Sequence, residues 1–123
     1  MESTLEQMDS EKVIIVEGKS DKKKIESLIR DSVEIICTNG TVSAQKIEEL
    51  VDEFDLDNKD VYILADADYA GEKLRKQLKR ELPNANHIYI DKVYREVATT
   101  PEYQLATALL SKNINVDPKF LIK

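Results

Sequence analysis

The chain has 123 residues, a formal net charge of −6, 41% hydrophobic residues and 34% charged residues. This length and balance predict one folded domain with its own core, and they exclude a disordered chain. The chain has one cysteine and one histidine, which excludes an internal disulfide and argues against a zinc site. Neither a membrane span nor a signal peptide is evident from residue 1 onward, so we expect a cytoplasmic location.

Four short apolar runs, rich in β-branched residues, are spaced along the chain at residues 13–16, 33–37, 61–65 and 87–90. The runs do not alternate regularly with polar residues, although Glu34 lies within the second. Strands buried on both faces, as in a parallel sheet, have this pattern. The runs therefore predict four strands of a mainly parallel sheet.

Helical patterns separate and follow these strands. We expect helices to start at the N-caps Ser20, Ser43 and Thr100, with Pro101 at the first helical position of the last one. A leucine stripe over residues 74–82, ended by Pro83, predicts a further helix. The element order indicates a three-layer α/β/α sandwich over residues 12–112. Residues 1–11 then form an N-terminal lead-in, and residues 113–123 form a tail that packs on the domain.

Acidic side chains follow the first and third strands. Glu17 extends the first apolar run, and Asp66 and Asp68 follow the third. If these strands are neighbours, the carboxylates converge at the carboxyl edge of the sheet, where such folds bind ligands. Carboxylate oxygens together with substrate phosphate are typical ligands of Mg²⁺. The alternative is structural, with Glu17 and Asp66 paired with lysines or capping the next helices.

Glycines and lysines collect at the same edge. Gly18 and Gly71 lie at strand-to-helix turns, where a missing Cβ lets a phosphate approach the backbone, although each glycine also suits a tight turn. Gly40, in an Asn-Gly pair, is first of all a turn signal. Basic residues are concentrated in residues 19–24 and 73–80, as solvated helix faces or as nucleic-acid contacts. The candidate phosphate or nucleic-acid contacts are Gly18, Lys19, Lys22, Gly40, Gly71, Lys73 and Lys76.

The sequences VEGKSD (residues 16–21) and DADYAGEK (residues 66–73) resemble the Toprim domain. Bacterial primases, topoisomerases, RecR-type repair proteins and OLD-type nucleases share this domain. The longer match is most similar to the Toprim ribonucleases that mature 5S ribosomal RNA, and the resemblance covers roughly residues 12–91. It implies a Rossmann-like α/β/α sandwich with a four-stranded, mainly parallel sheet.

The resemblance also implies roles for particular residues. Glu17 corresponds to the family's general acid/base, which also belongs to the metal site, and Asp66 and Asp68 correspond to the pair that holds Mg²⁺, for which Mn²⁺ can substitute. Asp21 matches an acid at the start of the first helix, where it would orient a lysine or a water beside bound nucleic acid. The sequence departs from the 5S maturases after the fourth strand, where about 30 residues remain and we expect no second substrate-binding domain.

The resulting hypothesis is a stand-alone Toprim domain that performs Mg²⁺-dependent, nuclease-like phosphodiester chemistry on RNA or DNA. The alternative is a non-catalytic binding or adaptor module in nucleic-acid metabolism, which the charge of −6 favours. The expected partner is nucleic acid or a nucleic-acid-processing protein, with no membrane involved. A receiver domain fits less well, because it carries an acidic pair after its first strand.

Overall fold

The computed structural model describes residues 11–40 and 42–122, and the predicted lead-in lies almost wholly outside them. Four parallel strands form one sheet in the order β2-β1-β3-β4, which confirms the predicted fold class. The register aligns Ile15 of β1 with Ile36 of β2 and Ile63 of β3, and Leu64 of β3 with Ile88 of β4. The strands are β1 (Lys12–Val16), β2 (Val33–Cys37), β3 (Asp60–Leu64) and β4 (Asn86–Ile88).

Within the described residues, four helices alternate with or follow the strands. They are α1 (Lys19–Leu28), α2 (Ala44–Phe54), α3 (Tyr69–Glu81) and α4 (Glu102–Leu110). Short 3₁₀ turns lie at Leu56–Asn58, Lys92–Tyr94 and Pro118–Leu121. None of the helices in the described part of the chain has the length and apolar character to cross a membrane.

Strand residues alternate between two buried clusters, one on each face of the sheet. On the first face, Ile14, Leu64 and Ile88 pack with the apolar sides of α1 and α4. On the second face, Ile15 and Ile63 pack with the apolar sides of α2 and α3. The tail contributes to the first cluster, where Val116 is buried and Phe120 and Leu121 are partly buried. This double coverage explains the apolar runs of the central strands β1 and β3, whose residues are buried on both faces after the first position. The outer strands β2 and β4 each keep an exposed polar residue, Glu34 and Asn86.

Of the three predicted N-caps, Ser43 is confirmed, and Ser20 and Thr100 are wrong. Ser43 caps α2, since its side chain accepts a hydrogen bond from the Lys46 amide. Ser20 is instead inside α1, which begins after Gly18. At α4 the N-cap is Pro101, and the Thr100 hydroxyl donates to the Glu96 carbonyl and does not cap the helix. In both cases a local contact sets the start: Asp21 accepts from the Gly18 amide at α1, and the Thr100 hydroxyl is taken up by Glu96 before α4.

The strand order places the topological switch of the sheet between β1 and β3. The chain leaves β1 through α1 to reach β2 on one side, and then crosses through α2 to β3 on the other side. Ligands of open α/β sheets bind beyond the carboxyl ends of the strands at such a switch. Residue 17 follows β1 and residue 66 lies just beyond β3, so the acidic residues flank this position.

Candidate metal and nucleic-acid site

Three carboxylates converge at the switch point. Glu17, Asp66 and Asp68 each offer an oxygen, and these oxygens all lie within 4.8 Å of one another. All three residues are partly buried. The structure thus brings together the acids that the sequence placed at two separate strand ends.

Glu17 is held at both its main chain and its side chain. Its carbonyl oxygen accepts hydrogen bonds from the Asn39 amide, at 2.6 Å, and from the Cys37 thiol, at 3.3 Å. Its Oε1 accepts a hydrogen bond from the Asp66 amide at 3.0 Å. The turn after β2 supplies part of this support, with positive φ at Asn39 (62°) and Gly40 (112°). Gly40 therefore acts here as the turn residue that its Asn-Gly context predicts.

Asp66 lies between the carboxylates and the loop that follows β4. Its Oδ1 accepts a hydrogen bond from the Val97 amide at 2.8 Å. Burial raises the pKa of Asp66 to about 6 from 3.8, helped by the negative charges of Glu17, Asp21 and Asp68, while the Val97 hydrogen bond opposes the shift. The carboxyl is therefore close to half protonated near pH 6 when nothing neutralises the cluster.

Asp68 has a structural function as well as a place in the cluster. It is the N-cap of α3, and its Oδ1 accepts a hydrogen bond from the Gly71 amide at 2.8 Å. A Cβ at Gly71 would lie 1.9 Å from the Asp66 carbonyl oxygen. The main chain of Asp66 therefore fills the space that the missing Cβ leaves, which supports the tight-turn alternative for this glycine, and the phosphate contact at Gly71 stays a prediction.

Asp21 and Gly18 form the start of α1. The Asp21 Oδ2 accepts a hydrogen bond from the Gly18 amide at 3.0 Å, and the side chain is 6% exposed. Burial raises the pKa of Asp21, against the lowering effect of that hydrogen bond. Asp21 thus lies beneath the surface and fixes the first turn of α1. A Cβ at Gly18 would meet the Asp21 carboxylate at 3.5 Å, an ordinary contact, so this position has room that Gly71 lacks.

The donor set of the cluster suits a hard divalent cation. The ion pairs among the described residues join Lys12 to Asp31 and Asp117 to Arg30 and Lys119, so none neutralises the three carboxylates. Pairing of Glu17 and Asp66 with lysines is thus not what the structure shows. Oxygen ligands at this spacing, with like charges that repel one another, fit a cation that prefers oxygen.

The two basic stretches divide into solvent-facing and internal residues. Lys19, Lys73 and Lys76 are exposed and Lys22 is partly buried, so all four remain candidates for contact with an anionic polymer. Lys24 instead donates to the carbonyl oxygens of Ala98, at 2.8 Å, and of Thr100. It ties α1 to the loop before α4.

Arg75, in the second basic stretch, is a buried residue that the sequence did not distinguish from its neighbours. It is 5% exposed, and its guanidinium donates to the carbonyl oxygens of Ile63, Ala65 and Ile88. Its place beside Leu74 and Leu78 in the apolar stripe of α3 was an available signal. The Val97 amide, which holds Asp66, carried no signal, because any residue supplies a backbone N–H.

The sequence and the fold were compared with those of known proteins. The Toprim domain family model matches residues 12–93. An uncharacterized protein of Bacillus subtilis, YusF, is 59% identical over 111 residues, which cover 90% of this chain and 75% of that protein. A solved structure, described as a small TOPRIM domain protein from Bacillus stearothermophilus, matches with a TM-score of 0.88 and 53% identity, over 93% of this chain and 95% of that chain.

More distant relatives are ribonucleases. Ribonuclease M5 of Fusobacterium nucleatum is 39% identical over 82 residues, which are 66% of this chain and 43% of the ribonuclease. Ribonuclease M5 of Bacillus anthracis is 33% identical over 85 residues, which are 69% of this chain and 44% of that enzyme. The chain thus spans less than half the length of these ribonucleases. With the family model, the fold and the close structural match in agreement, the chain belongs to the Toprim domain family.

Proposed function

We propose that this protein cleaves phosphodiester bonds in nucleic acid, in a reaction that depends on Mg²⁺ and accepts Mn²⁺. The observation that supports this most is the group of three carboxylate oxygens within 4.8 Å at the switch point. Family membership supports a role in nucleic-acid processing. The similarity to ribonucleases M5 favours RNA processing as the specific activity.

The residues of the cluster take different parts in the proposed reaction. Asp66 and Asp68 would hold the metal, each with one oxygen already fixed by a backbone amide. A bound Mg²⁺ supplies positive charge that stabilises the phosphate as negative charge develops. Glu17, fixed at Oε1 by the Asp66 amide, is the candidate to move a proton to or from the reacting oxygen.

The test is cleavage of labelled single- and double-stranded RNA and DNA in Mg²⁺ or Mn²⁺, with EDTA as the metal-free control. We expect Glu17→Gln, Asp66→Asn and Asp68→Asn each to lower the cleavage rate by at least a hundredfold, since each removes a carboxylate oxygen from the site. Glu72→Gln, an exposed acid in the first turn of α3 and outside the cluster, is the matched control and should leave the rate unchanged. Cleavage that persists in EDTA, or that survives all three substitutions, would overturn the proposal.

Substrate contact is assigned to the exposed and partly buried lysines of the two basic stretches. Each phosphate contact lowers the logarithm of affinity by about 0.7–0.9 for every tenfold increase in salt concentration. The slope of log affinity against log salt therefore gives the number of contacts. Charge reversal at Lys22, Lys23, Lys73 and Lys76 should abolish binding. Reversal of the acids Glu48 and Glu49 on α2 should not, and affinity independent of salt would remove these lysines from the proposal.

A non-catalytic binding or adaptor module is the second candidate, and the net charge of −6 favours it. In that case the acidic cluster would bind metal and phosphate without turnover. Binding of nucleic acid that requires Mg²⁺ but yields no cleavage on any of the four substrates would favour the adaptor over the nuclease.

A further inference from the structure

Arg75 is a buried cation whose hydrogen bonds go to neutral acceptors at the carboxyl ends of β3 and β4. Its Nη1 donates to the Ile63 carbonyl, at 3.2 Å, and lies 3.0 Å from His87 Nδ1. Because Arg75 can only donate, Nδ1 is the acceptor and His87 is neutral. Burial and the nearby Arg75 charge both lower the pKa of His87, in agreement with that state. The described residues offer Arg75 no carboxylate within ion-pair distance.

The guanidinium also supports an aromatic ring. The Arg75 Cζ lies 4.2 Å from the centroid of the Tyr89 ring, and the His87 ring stacks against Tyr89 at 6.1 Å with an interplanar angle of 22°. Yet the Tyr89 side chain is 65% exposed. One side of the ring therefore rests on two fixed groups, while its other side faces solvent. A ring held in this way loses little conformational entropy when a second flat group stacks on it.

Arg75 also connects the strand that leads to Tyr89 with the strand that leads to the acidic cluster. A single nitrogen of Arg75, Nη2, donates to the Ala65 carbonyl at 3.3 Å and to the Ile88 carbonyl at 2.6 Å. Ala65 immediately precedes Asp66, and Ile88 immediately precedes Tyr89. The arginine thus bridges the residue before the metal-site acid and the residue before the exposed ring, on strands that run about 4.8 Å apart.

We propose that Tyr89, supported by Arg75 and His87, is a stacking platform for one unpaired nucleobase next to the scissile phosphate. The chemistry is that of single-strand recognition, in which bases stack on exposed aromatic side chains. In a duplex both faces of a base are already covered by its neighbours, so the platform selects single-stranded or unpaired nucleotides. This inference deepens the proposed nuclease function and rests on it for the identity of the ligand.

The first test uses fluorescence anisotropy, in buffer that contains Ca²⁺, to measure the affinity of the protein for two labelled strands. One is a fluorescein-labelled thymidine octanucleotide, and the other is a matched strand in which every base is absent. Tyr89→Ala should weaken binding of the base-bearing strand about 5- to 160-fold, the range for loss of one stacked base, and leave the abasic strand unchanged. Tyr89→Phe keeps the ring and should bind within twofold of wild type. Leu110→Ala, an exposed apolar side chain on α4, is the control. Equal losses for both strands, or no loss for either, would overturn the platform.

A second test separates failure of the platform from failure of the proposed function. Adenosine, which has a base but no phosphate, is titrated into the protein while the tyrosine ring resonances are followed by NMR. Saturable upfield shifts that vanish in Tyr89→Ala would support the platform even if the protein cleaves and binds no strand. Absence of any shift would overturn it. Loss of self-association on sedimentation in Tyr89→Ala, with unchanged binding of strands and adenosine, would assign the ring to a protein contact and equally overturn it.

Discussion

Two strand-to-helix turns build the acidic site, and they use the same pair of residue types in opposite order. At the start of α1, Gly18 is the N-cap, and the carboxylate of Asp21, three residues later, accepts a hydrogen bond from the Gly18 amide. At the start of α3, Asp68 is the N-cap and its carboxylate accepts from the Gly71 amide, again three residues later. Asp68, which precedes its glycine, belongs to the acidic cluster, whereas Asp21, which follows its glycine, is buried.

The two turns also differ in how closely they pack. Gly71 touches the main chain of Asp66, while Gly18 has room for a methyl group. Each helix then turns one basic residue inward, but Arg75 of α3 is buried under the ends of β3 and β4, whereas Lys24 of α1 is only partly buried and binds a loop. The turn before α3 is thus the rigid support of the site, and the turn before α1 is the more adaptable one.

The largest expected effect is that of Gly71→Ala. A methyl group 1.9 Å from the Asp66 carbonyl oxygen forces α3 away from β3, so we expect a loss of roughly 4 kcal/mol or more in the free energy of unfolding, or no folding at all. Urea denaturation measures it. Gly18→Ala is the matched variant and should lose only about 0.5–1 kcal/mol, as alanine is a poorer N-cap than glycine. Equal losses of stability at both glycines would mean that the two turns pack equally closely.

The next effect is that of Arg75→Met, which keeps the length of the side chain and removes its donors. Three carbonyl oxygens and His87 Nδ1 lose a partner, so we expect a loss of about 2–4 kcal/mol. The equivalent change on the adaptable side, Lys24→Met, should lose about 1 kcal/mol, and exposed Lys76→Met about 0.5 kcal/mol or less. If Lys24→Met lowered the free energy of unfolding as much as Arg75→Met does, α1 would be held as tightly as α3.

A smaller effect comes from the pH dependence of metal-free protein. Since the pKa of Asp66 is raised to about 6 from 3.8, the folded state binds this proton more tightly than the unfolded state does. His87, whose pKa is lowered, contributes the opposite trend over the same range, so the contribution of Asp66 is the difference between wild type and Asp66→Asn. That contribution should be an increase in stability as the pH falls from 7 to 5. Asp66→Asn, whose Oδ1 still accepts from Val97, should lower that increase by roughly 1 kcal/mol and be at least as stable as wild type at pH 7.

Urea unfolding in EDTA at the two pH values measures this, with Asp68→Asn as the comparison. Asparagine is as good an N-cap as aspartate, so α3 should keep its cap and this variant should keep its stability. A marked loss of stability in Asp66→Asn at pH 7 would mean that this charge supports the fold.

The sequence was sufficient for the sheet, the layers and the convergence of Glu17 with Asp66 and Asp68. Continuous apolar runs report burial on both faces, and residues at strand ends are brought together by topology alone. It did not predict that Gly71 packs against Asp66, that Arg75 is internal, or that Val97 holds the Asp66 carboxylate. The Val97 contact depends on a backbone amide far along the chain, and the Gly71 contact depends on how tightly the turn from Asp66 closes, neither of which a residue pattern encodes. Only Arg75 had a signal in the sequence, its place in the apolar stripe of α3.

The most direct test of the central claim, that the three carboxylates form one divalent-metal site, is calorimetric titration of Mn²⁺ and Mg²⁺ into the protein at pH 7. We expect one site per chain, weakened at least tenfold in each of Glu17→Gln, Asp66→Asn and Asp68→Asn and unchanged in Glu72→Gln. At pH 6 binding should also release protons from Asp66, seen as a heat that varies with the ionisation enthalpy of the buffer. Wild-type affinity in the three variants, or no binding by the wild type, would contradict it.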